Sequence, residues 1–577
     1  MFKRFRFGIV KVLALLACGA LPIGSAAAAD GSTIPGTGVV SGTVTASKPF
    51  TAAQVYLRNA EKGVTFMVYT AGGKYQAVNL YPGDYDVTVA RRGFASDPQK
   101  IKVQAGTSVK ADFVLKDADP APKAGINGPS TVVAYPGRAT ITDKDVEFHY
   151  DYDKVYPPGP GRAVLEQVCM SCHGVNFFAV RQLDRAGWDA AINMMSKRLN
   201  GMDTSVPPGK LSVKNRQLLL DYLATNLNPT GKKRALAIDA DMPLDEAALG
   251  KAMYIEYDMP KANVPNARPI GQNPYFDHDG NVWMTDRGTP NGIVKLDPRT
   301  VKFESYLLPE RGIPHGITVD SKGIVWWGET VGFKFGRLDP KTGKMDRYPI
   351  DSRGYLKGRG HDPIVDAEDN IWLAVINGNR LAKFDAKTQK ISLYEPPTPN
   401  SYPYGVDKDK AGNIWMSQFT QCRMAKFDPK EEVFTEYPAL TAYEEDQFCL
   451  IRRGSVDKNG IVWYGVFSNG KIGKLDPATG KMVEYKMPVA FAEPYDIWPD
   501  KDNNMWIADG AMGGAIIKFD PKTEKFTFYP AVQRGDLPKI EITREGAIWY
   551  NPRSALKGAV GVLYPDVTKM TTFEARY

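Results

Sequence analysis

The sequence predicts a multidomain, mainly β protein: an N-terminal β-sandwich, a small all-α domain and a C-terminal seven-bladed β-propeller. Three observations carry this. Seven tryptophans, each closing a [GND]-x-[VIM]-W pattern, recur at Trp283, Trp326, Trp372, Trp415, Trp463, Trp506 and Trp549, 43 to 48 residues apart. Units of that length with four strand-like segments are the signature of blades. Residues 38–116 alternate apolar and polar positions between turn signals, the period of half-buried strands. Residues 161–228 instead space their apolar residues at helical intervals. At 577 residues the chain is too long for one core.

Residues 1–29 read as a secretory signal peptide. Lys3, Arg4, Arg6 and Lys11 precede an apolar run, and small residues close it near Ala28 and Ala29. Gly19 and Pro22 interrupt the run, which is too short for a membrane span. No later segment is apolar enough to cross, so the mature chain is expected in the periplasm or secreted, with no membrane span after cleavage. Four of the positives in the formal charge of +8 lie in the leader, and no basic block follows. Nucleic acid is therefore not an expected partner.

Residues 35–117 form the expected sandwich. Their segment GKYQAVNLYPGDYDVTV resembles the carboxypeptidase regulatory-like domain, which implies a small Ig-like module serving as spacer or docking unit. Residues 118–160, rich in Pro, Gly, Asp and Ala, read as a linker with one strand-like stretch, VEFHYDY.

Residues 161–230 carry the motif VCMSCHG, Val168 to Gly174. A zinc half-site would need a second ligand pair nearby. The next cysteine is Cys422, and no histidine follows the motif before His278. CxxCH therefore reads as a c-type haem attachment site, with thioethers from Cys169 and Cys172 and His173 as proximal iron ligand. The segment resembles a monohaem class I cytochrome c domain. That resemblance implies a distal methionine and a last helix packed on the first, with Ser212 as its expected N-cap. Met194, Met195 and Met202 are the candidates. The pattern G-W-x6-M, Trp188 to Met195, resembles a subgroup of short cytochrome domains that use that methionine, so Met195 is the expected axial ligand and Met202 the alternative. A thioether there raises the potential and suits electron transfer. One covalent haem c is the expected cofactor.

Residues 231–265 read as a linker holding a strand-like stretch, MYIEYDMP, Met253 to Pro260, that resembles the fourth strand of a blade. It competes with the final MTTFEARY for closing the propeller, residues 266–577. Thirteen or fourteen residues after the first six tryptophans stand Asp297, Asp339, Asp385, Asp428, Asp476 and Asp520, with a degenerate counterpart at Asp566. Residues this regular are structural. Function belongs at equivalent positions that vary. Eleven before each tryptophan lie Gln272, His315, His361, Tyr404, Arg452, Tyr495 and Pro538, expected to ring one channel mouth. Three after lie Asp286, Glu329, Val375, Gln418, Val466, Asp509 and Pro552.

His315, His361 and Glu329 could hold a divalent metal or act as acid and base. With Tyr404, Arg452 and Tyr495 they make the candidate channel site. The repeats G-x-[IV]-W and [KR]-[LF]-D-P-x-T-G resemble the virginiamycin B lyase (streptogramin lyase) family. The resemblance implies opening of a cyclic ester by elimination, with a metal held by histidines and glutamates at the channel mouth. His315 with Glu329 matches one His–Glu element, and His315 with His361 matches the histidine pair, but not in one register. With His315 as the second histidine its partner is Gln272; with His361, the glutamate's place is Val375. Cys422 and Cys449, an even pair in an oxidising compartment, are expected to form a disulfide.

The expected function is a periplasmic electron-transfer protein of the oxidoreductase class, its substrate or redox partner, another cytochrome or a dehydrogenase, bound at the channel mouth. The alternatives are a metal-assisted lyase with an accessory haem and a non-catalytic electron-transfer scaffold. No glycine fingerprint for a nucleotide cofactor is present.

Overall fold

A computed structural model describes residues 31–577 apart from 32, 119–131, 134–139, 142–145, 150, 171–174, 176–177, 201–211, 237–241, 351–357, 377, 444–448, 491, 511–513, 534 and 554–556. The leader read at residues 1–29 lies outside them. Among the described residues no helix is long and apolar enough to cross a membrane.

The N-terminal unit is sandwich-like. One sheet pairs Lys74–Leu80, Gly38–Ala46 and Phe113–Asp117; the other pairs Val64–Tyr69, Gln54–Asn59, Gly83–Ala90 and Gln99–Val103. Alternation along the strands turns Val40, Val44, Val55, Leu57, Phe66 and Val87 into the space between the sheets.

The helical unit packs Pro160–Val164, the π-helical turn Leu165–Met170, Arg185–Asn200 and Val213–Asn226 around Tyr156, Leu165, Phe178, Trp188, Leu219 and Leu223. Ser212 caps the last helix by accepting the Asn215 N–H at 3.1 Å. The first and last helices cross at Gly161, where a Cβ would stand 2.2 Å from the Leu218 carbonyl oxygen. The strand-like stretch before it contributes Glu147–His149, which pairs with Arg234–Leu236.

The C-terminal region is propeller-like. Six four-stranded antiparallel sheets follow one another from Gly271–Phe276 to Lys525–Pro530. Their innermost strands neighbour one another in sequence order, and Ile540–Ile542 of a seventh unit touches both Pro494–Pro499 and Gly271–Phe276, closing the ring. The tryptophans are buried and tie each unit together. Each of the first six indoles donates to a carboxylate six residues earlier: Asp277, Asp320, Asp366, Asp409, Asp457 and Asp500, at 2.8 to 3.2 Å. The same aspartate caps the intervening turn. Asp320, for example, accepts the Lys322 and Ile324 N–H groups. The aspartates after the tryptophans cap the next turn, as where Asp339 accepts from Lys341 N–H and Thr342 O–H.

The seventh sheet is completed by Met253–Asp258, which pairs with Ala559–Tyr564; the stretch 570–577 is not in the ladder. Met253–Asp258 also pairs on its other side with Val64–Tyr69. The sandwich and the seventh unit thus share one eight-stranded sheet, which leaves neither with a free edge at the junction.

Candidate functional site

The site begins with an irregularity in the innermost strands. In all six four-stranded units their pairing with the next strand slips, between Gly271 and Pro274, Pro314 and Ile317, Gly360 and Pro363, Pro403 and Val406, Ile451 and Gly454, and Pro494 and Asp496. A bulge breaks the two-residue alternation and re-aims side chains. Consecutive residues therefore enter the channel together: His361 with Asp362, and Arg452 with Arg453.

The structure brings His315 and His361 together, with ring centroids 3.8 Å apart. Their third member is Asp362. Ligating atoms of His315, His361 and Asp362 all lie within 4.8 Å of one another. Asp362 faces His315 Nδ1 and His361 Nδ1 at 3.4 Å each, and accepts from Arg453 Nε at 2.6 Å and from Asn273 Nδ2 at 3.2 Å. Burial opposes ionisation of Asp362, yet Arg453 and the histidines hold its carboxyl well below the usual range. Burial drives the His315 imidazole well below its ordinary value and His361 down to about 4, against the pull of Asp362. At neutral pH both rings are uncharged beside an ionised, paired carboxylate.

The tautomer of His361 follows from its partner. Nδ1 lies 2.9 Å from the Tyr404 carbonyl oxygen, which can only accept, so the proton is on Nδ1. Nε2 then carries the bare lone pair. It is buried without a hydrogen-bond partner. Such an atom can take a proton or ligate a metal. Three protein ligands with an open position is the pattern of a catalytic metal, while Arg453 on the carboxylate works against a cation.

Tyr404 packs on His361, its ring centroid 3.8 Å away, and its hydroxyl meets that of Tyr495 at 2.6 Å. Arg452 donates to the Tyr404 hydroxyl at 2.8 Å. The Arg452 guanidinium also sits 4.4 to 5.1 Å from the rings of Phe419, Phe467, Tyr495 and Tyr404, a cation held in an aromatic cage. Burial would raise the Tyr495 phenol, but Arg452, Arg553 and Arg453 outweigh it and bring the group down to about 8. The expected ring at the channel mouth is thus assembled, and all seven of its residues are buried.

Glu329 does not join the histidines. Its fully buried carboxylate is clamped by Arg347, Nε and Nη2 donating at 2.7 and 2.6 Å, and by the Trp327 indole at 3.2 Å. Asp362, Arg453, Phe419 and Phe467 were not expected. Asp362 and Arg453 simply follow ring positions already named, and the bulge is what admits them. Cys422 and Cys449 form a disulfide with Cα atoms 5.4 Å apart, beside the turn that carries Phe419.

Of the residues expected from the sequence to bind haem, Cys169 lies in the π-helical turn, partly buried against the helical core. Cys172, His173 and Met202 lie outside the described residues. Met195 falls in the helix Arg185–Asn200, its side chain outside the description; Met194 is 41% exposed. Trp188 is core: its indole donates to the Leu227 carbonyl at 2.9 Å.

The sequence profile of the virginiamycin B lyase family matches residues 253–423, and that of the carboxypeptidase regulatory-like domain matches residues 39–116. Among solved structures, a streptogramin B lyase is 22% identical with a TM-score of 0.46, covering 54% of this chain and 97% of its own. A virginiamycin B lyase from Staphylococcus aureus is 20% identical with a TM-score of 0.47, covering 54% and 99%. A catalytically inactive variant from the same organism, with quinupristin, is 20% identical with a TM-score of 0.46, covering 54% and 99%. No curated protein matches. The propeller-like region is thus virginiamycin B lyase-like and the sandwich carboxypeptidase regulatory-like.

Proposed function

We propose that the chain is an exported haem c protein of the oxidoreductase class, in which residues 161–230 form a cytochrome c domain. The propeller, residues 266–577, binds a small-molecule substrate or a redox partner protein at its channel site. The observation that carries this reading is the VCMSCH motif leaving a helical turn whose unit closes by a first-to-last helix crossing at Gly161. The residues fit such a group. Cys169 borders an apolar core of Phe178, Trp188 and Leu219, and the donor set is two thiols, an imidazole and a thioether. Cys169 and Cys172 would hold haem c through thioethers, and His173 and Met195, alternatively Met202, would ligate its iron; when bound it would supply one-electron transfer. At the channel, His361 Nε2 is the proton acceptor, Arg453 keeps Asp362 ionised, and Tyr404 orients His361 through its carbonyl.

The test is a reduced-minus-oxidised spectrum of protein matured in a periplasm, followed by carbon monoxide. A low-spin haem that ignores carbon monoxide is expected, and a haem-stained band under denaturing conditions that Cys172→Ala weakens or abolishes. Protein without covalent haem, matured beside a control cytochrome that acquires it, sinks the reading.

A second reading rests on the His315–His361–Asp362 group and the bare His361 Nε2: a metal-assisted lyase of the virginiamycin B lyase type with an accessory haem. About one divalent metal per chain, lost on His361→Ala, supports it. Metal-free protein after growth in metal-supplemented medium excludes it.

A further inference from the structure

Past the histidines, toward the far ends of the innermost strands, the channel opens into a cavity of about 160 Å3. A cavity of that size holds one molecule about as large as benzene. Four buried carboxylates line it, Asp362, Asp407, Asp496 and Glu541, against two buried cations, Arg453 and Lys539, and the exposed Lys408. Arg453 pairs with Asp362 at 2.6 Å; Lys539 lies 2.8 Å from Glu541 and 4.0 Å from Asp496. Asp407 takes the Val456 N–H at 2.9 Å and has no salt bridge among the described residues. An excess of buried negative charge is costly unless something positive answers it.

Two further atoms ask for a ligand. Asn273 Oδ1 and Arg453 Nη2 are buried without hydrogen-bond partners, and both residues line the cavity. Asn273 is fully buried and Arg453 is 3% exposed. One wants a donor and the other an acceptor. The wall suits an ammonium ion: Lys539 Nζ already stands 4.6 Å from the Trp498 ring centroid. A metal ion fits poorly, because among the described residues only His315, His361 and Asp362 bring three ligands within 4.8 Å.

We propose that this second channel cavity binds a small organic monocation, a primary amine carrying a hydroxyl or amide oxygen. Its ammonium group answers the carboxylate excess around Asp407 and the Asn273 oxygen, and its own oxygen accepts from Arg453 Nη2. The cavity shares Asp362 and Arg453 with the histidine group, and the proposal does not depend on the redox reading.

Calorimetric titration of the full-length protein with 2-amino-1-propanol tests this, with 1,2-propanediol as the neutral comparator and alanine as the zwitterion. The amino alcohol is expected to bind at least about tenfold more tightly than either comparator, and Asp407→Asn to weaken it about tenfold. Equal affinity for the diol, tighter binding of alanine, or no binding at about 10 mM overturns the proposal. So does unchanged affinity in a folded Asp407→Asn variant. Crystals of the unaltered protein soaked in the amino alcohol provide an arm independent of that variant's folding. Continuous density for the probe beside Arg453 and Trp498 supports the site, and separate waters alone refute it.

Discussion

The seventh tryptophan lacks what the other six have. Trp549 is fully buried, and its indole N–H has no hydrogen-bond partner. Six residues earlier, where every other unit places an aspartate, stands Thr543. Its hydroxyl accepts the Ala547 N–H at 3.1 Å, so it replaces the turn cap but not the indole acceptor. A buried donor left unmade costs about 1–3 kcal/mol, and a bond to a charged acceptor contributes about 1.5–3 kcal/mol. Thr543→Asp should supply that acceptor in a geometry the chain already uses six times. Desolvating a new carboxylate offsets part of the gain, leaving about 1–2 kcal/mol of net stabilisation. Differential scanning calorimetry should show the propeller transition rising by a few degrees. The converse, Asp366→Ala, strands the Trp372 indole and the Glu368 and Asn370 N–H groups, and should cost about 2–4 kcal/mol. Destabilisation by Thr543→Asp together with a silent Asp366→Ala would refute the account of what the tryptophans do.

Other perturbations probe the junction, the helical unit and the channel. Burial pushes Glu256, on the strand shared by sandwich and propeller, up to about 7, despite bonds from Gln533 and Tyr550. An acid raised in the folded state leaves stability intact below its unfolded pKa and loses it as pH rises, here between about 4.5 and 7. Glu256→Gln should therefore flatten that decline and stabilise at pH 8 by up to about 3 kcal/mol in urea titrations; an unchanged slope would count against it. Gly161→Val forces the crossing helices apart and should cost at least about 1–3 kcal/mol and, on the proposed haem reading, reduce the haem retained per chain; unchanged stability would contradict the crossing. Arg452→Ala empties the aromatic cage, should cost about 2–4 kcal/mol, and should regain stability with millimolar guanidinium but not sodium; equal effects of the two salts would show that the cage is not cation-specific.

Much of this fold was legible because repetition averages out local ambiguity. One strand pattern is weak, but seven copies of [GND]-x-[VIM]-W at intervals of 43 to 48 residues mark the units, and the channel-facing ring can be counted back from them. His315 and His361 came together for that reason. The boundary strand is different in kind. Met253–Asp258 and the stretch 570–577 carry equally strand-like residues. What separates them is a long-range pairing with Val64–Tyr69, which no local window contains. The virginiamycin B lyase and carboxypeptidase regulatory-like resemblances agree with the profile matches, whereas the haem motif was read from sequence alone and spans residues the structure does not describe.

The site itself shows where period-two reasoning stops. Counting from the tryptophans assumed that one residue per strand faces the channel, so His361 was found and Asp362 was not. The bulge between Gly360 and Pro363 delivers both. Glu329 failed for the opposite reason. Its position after the tryptophan is right, but Arg347 on the outer strand reaches back to it, and a fully buried carboxylate held by a fork of two N–H groups is not at liberty to bind a metal. Sequence counting locates a backbone position; the charge that reaches it from another strand decides whether its side chain is available. By that criterion Asp362 is itself only half available, since Arg453 holds one oxygen at 2.6 Å. An ion at the histidines would have to displace that guanidinium, so Arg453→Met should raise metal affinity at His315 and His361 if they are a metal site, and leave it unchanged at zero if they are not.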